Sequence, residues 1–288
     1  MNTRALMAAV GAIVFMASVP TLIKINAANE IEIATARLLI ACLGMTLLLG
    51  VKKISLKLRK RQWLGLLLIG VTFAVHWFLY FKSIKLSTPS IAAIAVSTYG
   101  IHVLFLSAVF LKQKITYTDL IATVFAFGGM LLVIPEFNWS SELFWGAIIG
   151  VASGFLYGVL PVLHQLNNSL SNTLRAWGQF TFAFVAFLPF GLQQQWALQS
   201  NDVFGLIFLG VVSTLFAHSM WIKATTELPG VITGITYYLY IPLAVLISFL
   251  SIDEPITGSM ILGALIIIVA NVVLVINKWQ SRLKAKAK

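Results

Sequence analysis

Long apolar runs separated by short polar stretches follow one another along almost the whole chain. Each run holds about 20 residues, which as a helix is long enough to cross a hydrocarbon core of roughly 30 Å. Gly and Pro inside several runs do not argue against helices, because transmembrane helices tolerate both. The pattern predicts an all-α integral membrane protein with ten transmembrane helices, at residues 4–24, 31–50, 62–82, 90–112, 117–135, 143–163, 172–192, 202–223, 230–250 and 257–277.

The second half of the chain repeats the first at an offset of about 141 residues. With five spans per copy, an odd number, the second copy enters the membrane from the opposite side, which predicts a 5+5 inverted repeat. The two units are residues 1–138 and residues 139–288, the second with a basic cytoplasmic tail. Inverted repeats are the architecture of alternating access. The matched positions include Asn26 with Asn167, Gly65 with Gly205, His76 near His218, Pro89 with Pro229 and Tyr99 with Tyr240.

Composition agrees with a membrane protein, since 59% of the residues are hydrophobic and only 10% are charged, against roughly a quarter charged in soluble domains. The single Cys42 lies in an apolar run, so we expect no disulfide framework, metal site or cofactor. The net charge of +11 comes from basic residues at the ends of the runs. This distribution indicates membrane topology rather than nucleic-acid binding.

Most Lys and Arg residues fall on one side of a ten-span chain, including the block KKISLKLRKR at residues 52–61. The positive-inside rule places that side, and both termini, in the cytoplasm. We expect the membrane to be a bacterial-type cytoplasmic (inner) membrane. We expect the first run to be kept as a span rather than cleaved as a signal peptide, because it is longer than a usual signal core.

The stretch TTELPGVITGITYYLYIPLAVLISFLSIDEPITGSMILGALIIIVANVVLVI resembles the EamA-type transporters of the drug/metabolite transporter superfamily. The resemblance implies a permease or exporter for small metabolites such as amino acids. It also implies a central cavity lined from spans 1, 3, 4, 6, 8 and 9, with contributions from spans 2 and 7. The features that carry the resemblance are Pro229 at the start of a span, Pro242 within it, Glu254 before the span led by Thr257, and Gly263 in the last span.

The first copy departs from the family's pattern at two positions. Gln113 stands where the family usually has Glu, and Ile101 stands where a proline would match Pro242. The two copies have therefore diverged, and we do not expect them to share every role.

Ionisable side chains within a span are costly, so each should face a cavity or a partner. We predict that Arg37, His76, His102 and His218 line the substrate cavity. No Asp or Glu lies in the middle third of any predicted span, which disfavours a purely cationic cargo. An arginine facing the cavity suits a carboxylate, so the predicted substrate is an amino acid or another carboxylated solute. The alternative for Arg37 is a salt bridge to an acidic residue near the same membrane face.

Aromatic residues within the spans add to this prediction. We expect Tyr99, Trp177, Tyr237 and Tyr240 to line the same cavity, although Trp and Tyr also favour membrane interfaces. The histidines are either packed, hydrogen-bonded residues between helices or proton-responsive groups, which makes protons a candidate coupling ion. Proline frees a backbone carbonyl one turn earlier and kinks a helix, so the predicted hinges are Pro20, Pro161 and Pro242.

Other classes of function are less well supported. An intramembrane enzyme needs a nucleophile, paired carboxylates or a metal motif such as HExxH, and a nucleotide-driven pump needs GxxxxGK[ST]; the sequence has neither motif. We therefore predict no enzyme activity. A flippase for a lipid or lipid-linked sugar would share this architecture and remains an alternative. The expected partners are a small-molecule substrate and membrane lipids, and the protein is expected to be a monomer or a homodimer.

Overall fold

The computed structural model describes residues 3–112, 114–134, 137–227 and 236–286. Pro229 and Gln113, which entered the family resemblance, lie outside these residues. The described chain is helical, and its helices are α1 (Thr3–Ala17), α2 (Val19–Ile25), α3 (Glu30–Val51), α4 (Lys60–Leu86), α5 (Pro89–Val96), α6 (Tyr99–Leu111), α7 (Tyr117–Val133), α8 (Glu142–Leu166), α9 (Asn172–Gly191), α10 (Ser200–Phe208), a π-helical segment (Leu209–Phe216), α11 (Ala217–Glu227), α12 (Tyr240–Ile252) and α13 (Gly258–Lys286).

The predicted all-α membrane fold is confirmed. Seven helical segments in the described part are long and apolar enough to cross a membrane, and α7 and α12 are shorter apolar helices. With α9, of 20 residues, these segments correspond to the ten predicted spans. Side-chain caps fix several starts: the Asn29 side chain accepts from the first turn of α3, and Thr116 does so for α7. Such caps satisfy backbone N–H groups that a helix leaves unpaired.

Three spans contain irregular backbone within their described residues. Span 1 breaks at Ser18 between α1 and α2, and span 4 breaks between α5 and α6 at residues 97–98. Span 9 has turn residues at 238–239, directly before α12. Hydroxyl groups satisfy carbonyls at the breaks, since Ser18 Oγ donates to Phe15 O at 2.8 Å and Thr98 Oγ1 donates to Ala95 O at 2.7 Å. Irregular backbone at membrane depth requires such internal partners.

Two of the predicted hinge prolines lie directly after these breaks. Pro20 occupies the first turn of α2 and Pro242 the first turn of α12, where proline is tolerated because the first N–H groups have no helical partner. Pro161 lies within α8, which runs unbroken from Glu142 to Leu166. That these prolines move during function stays a prediction.

The helices pack in a regular set of neighbours. Helix α4 packs on α8 and α9, α3 packs on α9 and the π segment, α1 packs on α11, and α7 packs on α13. Glycines allow the closest approaches, as small residues do in membrane helix pairs. At the α7–α13 contact, a Cβ added to Gly129 would lie 2.8 Å from the carbonyl oxygen of Gly263.

Charged side chains join spans 1, 3, 4 and 9 at one end of the bundle. Lys24 Nζ donates to the carbonyl oxygens of Lys85 at 2.9 Å and Ser87 at 2.6 Å, where α4 ends. The carboxylate of Glu254, which follows α12, is buried and accepts from the backbone N–H of Ser90 at 3.2 and 3.3 Å. Ser248 Oγ also donates to Glu254. The unpaired carbonyl groups at the end of α4 are therefore satisfied by a cation, and the unpaired N–H groups at the start of α5 by an anion.

The α7–α13 contact predicts different outcomes for two adjacent glycines. Gly129→Val should overpack the contact and lower the free energy of unfolding by about 1–3 kcal/mol. Gly128→Val is the matched control, because a Cβ there meets nothing within 4 Å. Thermal unfolding in detergent should show a melting temperature several degrees lower for Gly129→Val only. Equal melting temperatures for the two variants would contradict this packing.

Candidate functional site

A small cavity lies where the interrupted spans meet. Its volume of about 40 Å³ is well below the 300–1,000 Å³ of most small-molecule sites. In this conformation a solute could enter only if the lining side chains moved apart. The lining residues come from spans 1, 2, 3, 4, 6, 8 and 9, and they are Met16, Val19, Arg37, His76, Trp77, Tyr80, Phe81, Val96, Tyr157, His218, Tyr237 and Tyr240.

Arg37 is the charged residue of this cavity. It lies eight residues after the N-cap Asn29 of α3, or roughly 12 Å along the helix axis, and only 1% of it is exposed. Its guanidinium carbon lies 4.3 Å from the centre of the Trp77 ring and 5.2 Å from that of Phe81. These distances are typical of cation–π contacts, which stabilise a cation that has lost its water.

The hydrogen bonds of Arg37 are incomplete. Its Nε donates to Thr214 Oγ1 at 3.0 Å, and Thr214 Oγ1 in turn donates to the carbonyl oxygen of Leu209 at 2.7 Å. The Leu209 carbonyl lies five residues before Thr214, the spacing of the π segment, so the local irregularity of span 8 places this hydroxyl against the arginine. Nη1 of Arg37 is buried and has no hydrogen-bond partner among the described residues.

Five aromatic side chains form a closed circuit, which we call the aromatic wall: Tyr80, His76, Tyr157, Tyr237 and Tyr240. The His76 ring is stacked on Tyr80 at 6.0 Å and on Tyr157 at 4.8 Å between ring centres. Tyr157 then contacts Tyr237 at 6.0 Å, and Tyr237 contacts Tyr240 at 5.7 Å, again between ring centres. The hydroxyl groups of Tyr240 and Tyr80 then hydrogen-bond to each other. Spans 3, 6 and 9 are thus joined around the cavity by ring contacts.

Both cavity histidines are held through Nδ1. His76 Nδ1 lies 3.0 Å from the carbonyl oxygen of Ser153, and His218 Nδ1 lies 2.8 Å from that of Ser213. A carbonyl oxygen only accepts, so a hydrogen bond to it requires the proton on Nδ1. Ser153 Oγ also lies 2.8 Å from His76 Nδ1, but it donates its own proton to the carbonyl oxygen of His76 at 3.0 Å, which leaves Nδ1 as the donor there too. In the neutral ring, Nε2 is then an acceptor and the position where a further proton would bind.

The chemistry of the cavity follows from these residues. None of the described residues that line it is acidic, and no group of three or more potential metal ligands occurs in the same part of the chain. The cavity offers one fixed positive charge with an unused donor, aromatic faces, tyrosine hydroxyls and two imidazole acceptors. This set can bind an anion that carries a flat apolar body.

Most of the chain matches a known family of transporters. The model of the EamA-like transporter family matches residues 3–134 and again residues 144–276. The chain belongs to the EamA-like transporter family. The resemblance inferred from the sequence is therefore confirmed, and with it the broad function of a transporter.

Individual relatives agree with this assignment. Two proteins of Archaeoglobus fulgidus, each named an uncharacterized transporter, are 23% and 28% identical, and each match covers 67% of this chain and 69% of the relative. The uncharacterized transporter YojE of Bacillus subtilis is 24% identical over 68% of this chain and 65% of its own length. A solved crystal structure shares the fold, with a TM-score of 0.68 at 13% identity, covering 93% of this chain and 97% of that one.

The structure brings five of the eight predicted cavity residues of this family member together: Arg37, His76, His218, Tyr237 and Tyr240. Arg37 does not pair with Glu30, whose carboxylate lies 3.4 Å from Lys82 Nζ.

The other three predicted residues lie outside the cavity lining. Tyr99 packs behind the wall, 4.6 Å from Tyr237 between ring centres. His102 faces Phe127 and Phe155. Trp177 donates to Thr46 Oγ1 at 3.0 Å within the α3–α9 contact.

Several cavity residues were not among the predicted ones. Trp77, Tyr80 and Phe81 follow His76 at spacings of one, four and five residues, which place them on one face of α4. That face could have been read from the sequence once His76 was chosen. Thr214 and Tyr157 carry no such signal, because only the fold places them against Arg37 and His76.

Replacing Thr214 tests the anchoring of Arg37. Thr214→Val keeps the shape but removes a hydrogen bond to a charged donor, so the free energy of unfolding should fall by about 1.5–3 kcal/mol. Thr46→Val removes a neutral hydrogen bond from Trp177 and should cost about 0.5–1.5 kcal/mol. Thr214→Ser, which keeps the hydroxyl group, should retain most of the stability of the wild type. Thermal unfolding in detergent measures all three variants, and an equal loss for the two valine variants would argue against a charged donor at Thr214.

Proposed function

We propose that the protein is a secondary transporter that moves a small carboxylated metabolite, such as an amino acid, across the cytoplasmic membrane by alternating access. The observation that carries the proposal is Arg37, a buried cation whose Nη1 has no partner among the described residues, in a cavity whose described lining includes no acidic residue. It acts as the recognition group for the carboxylate of the cargo.

The physical argument concerns the cost of a buried charge. A charged side chain within the membrane is expensive and is retained where it meets a partner or a functional cavity. The cation–π contact with Trp77 and the bond to Thr214 offset part of this cost. A cargo carboxylate would supply the missing acceptor, and a guanidinium can bind it through two parallel hydrogen bonds.

Alternating access is proposed from the relation between the two halves. The Asn26 side chain packs on Gly205, where an added Cβ would lie 3.0 Å from Asn26 Nδ2. The Asn167 side chain packs on Gly65 and supplies the atoms nearest to a Cβ added there. Asn26 corresponds to Asn167 and Gly65 to Gly205, so each half makes the same contact with the other. A twofold axis between two inverted five-helix units would produce this exchange. Interrupted helices beside a central site are also typical of such transporters.

The small cavity fits an intermediate of this cycle. At about 40 Å³, it has room for a few water molecules but not for a solute. In the proposed cycle the breaks at Ser18, at residues 97–98 and before Tyr240 allow half-helices to move apart and enlarge the cavity. The residues 1–138 and 139–288 act as the two moving units, with both termini in the cytoplasm.

Protons are the proposed coupling ion, and the two cavity histidines are the groups proposed to carry them. Nε2 of His76 and of His218 is free of a proton in the neutral ring, and both residues line the same cavity as Arg37. A proton bound at either position would change the charge next to the cargo.

Arg37→Gln tests the recognition of carboxylates. A ligand that binds only the folded protein raises the melting temperature in a concentration-dependent way, so carboxylated solutes should stabilise the wild type and not Arg37→Gln. In proteoliposomes, counterflow of the same solutes should fall at least tenfold. Arg175→Gln is the matched control, because Arg175 lies outside the cavity and donates to the carbonyl of His164. Stabilisation by lipid head groups alone would overturn the proposal and favour a flippase.

The histidines are tested by paired substitutions. His76→Gln with His218→Gln should abolish the dependence of transport on a pH gradient, while substrate binding at constant pH is retained. His102→Gln with His164→Gln serves as the control, since neither residue lines the cavity. If coupled proton flux survives the first pair, the coupling group lies elsewhere.

A further inference from the structure

We infer that the preferred cargo is an aromatic monocarboxylate without an ammonium group, with its carboxylate at Arg37 and its ring against the aromatic wall. This inference rests on the proposed function, because it assumes that Arg37 receives a carboxylate. Within the proposed class of carboxylated solutes, it narrows the cargo in two ways: by charge, which favours a plain carboxylate over an amino acid, and by the shape of the body.

The charge of the cargo follows from the charges in the cavity. Arg37 is a permanent cation, and the residues that line the described cavity include no carboxylate. One carboxylate therefore neutralises the site. An amino acid would bring an ammonium group as well, which would lie close to Arg37 without a carboxylate to pair with. Like charges at short distance in a water-poor site repel strongly.

Aromatic rings could in principle take the place of a carboxylate as the partner of an ammonium group. Indole gives the strongest such contact, but the face of Trp77 already holds the guanidinium of Arg37 at 4.3 Å. In the aromatic wall, Tyr80 is stacked on His76 and Tyr237 on Tyr240. The remaining faces belong to tyrosines, which hold a cation more weakly than indole does, so an ammonium group has no strong partner beside Arg37.

The body of the cargo follows from the aromatic wall. Its stacked pairs have interplanar angles of 7°, 17° and 23°, so neighbouring rings run close to parallel. Such rings pack against a further ring by stacking or by edge-to-face contact, and this adds affinity beyond the burial of apolar area. A saturated ring of similar size buries similar area but lacks the aromatic contact. The wall therefore favours an aryl group over an aliphatic one.

Ligands that differ in one feature separate the two statements. We would measure dissociation constants for 3-phenylpropionate, phenylalanine and 3-cyclohexylpropionate, using the purified full-length protein in detergent. We expect 3-phenylpropionate to bind on the order of tenfold more tightly than phenylalanine, which differs by its ammonium group. We expect it to bind about fivefold more tightly than 3-cyclohexylpropionate, which lacks the aromatic ring. Arg37→Gln, in the same detergent, corrects for partition of the ligands into micelles.

Substitutions in and behind the wall test where the ring binds. Tyr157→Leu should remove the preference for the phenyl over the cyclohexyl compound, so that the ratio of their dissociation constants is about one. Tyr157→Phe, which keeps the ring, should retain the preference, and so should Tyr99→Leu, because Tyr99 does not line the cavity. The preference is a ratio of two affinities measured on one variant. A reduced fraction of folded protein therefore leaves it unchanged.

Each result supports or overturns a defined statement. If phenylalanine binds as tightly as 3-phenylpropionate, the inference about charge is wrong and the proposed carboxylate transporter stands. If the cyclohexyl compound binds as tightly as the phenyl compound, the inference about the wall is wrong. If none of the three carboxylates binds the wild type, the inference about the cargo is wrong, and the proposed function then depends on whether other carboxylated solutes stabilise the wild type and not Arg37→Gln.

Discussion

The burial of one permanent cation, Arg37, is the constraint on which the centre of this structure depends. A buried guanidinium inside a membrane bundle must be held by hydrogen-bond acceptors and aromatic faces from several helices, because burial removes it from water. Trp77 in span 3 supplies a ring face, and Thr214 in span 8 supplies a hydroxyl. These contacts bring spans 2, 3 and 8 to a common point. Nη1 of the same guanidinium is buried and has no hydrogen-bond partner among the described residues.

The interrupted spans follow from the same requirement that polar groups in a membrane find partners within the protein. The breaks in spans 1, 4 and 9 lie beside the cavity, and the π segment of span 8 lies against Arg37. Hydroxyls of Ser18 and Thr98 satisfy carbonyls at two of the breaks. Regular helices elsewhere in the bundle satisfy their own backbone. The irregular backbone is therefore concentrated where the helices face one another around the candidate site.

The two halves also differ at the position of Glu254. Glu254 of the second half caps the start of α5 in the first half through the N–H of Ser90. Its equivalent in the first half is Gln113, a neutral residue outside the described part of the chain. The sequence places Glu254 near the end of a span, where a carboxylate would normally meet water. Its burial, at 4% exposure, results from the neighbouring helix terminus, which only the tertiary arrangement brings close.

The sequence by itself determined the membrane class, the ten helical spans and the family, because span length, apolar composition and an internal repeat are properties of the linear chain. It also indicated Arg37, since an arginine inside an apolar run has few other roles. Tertiary structure decided which neighbours share a cavity. Tyr157 and Thr214 joined the site while Trp177 and His102 did not, because a helix presents side chains in every direction and only packing selects which face turns inward.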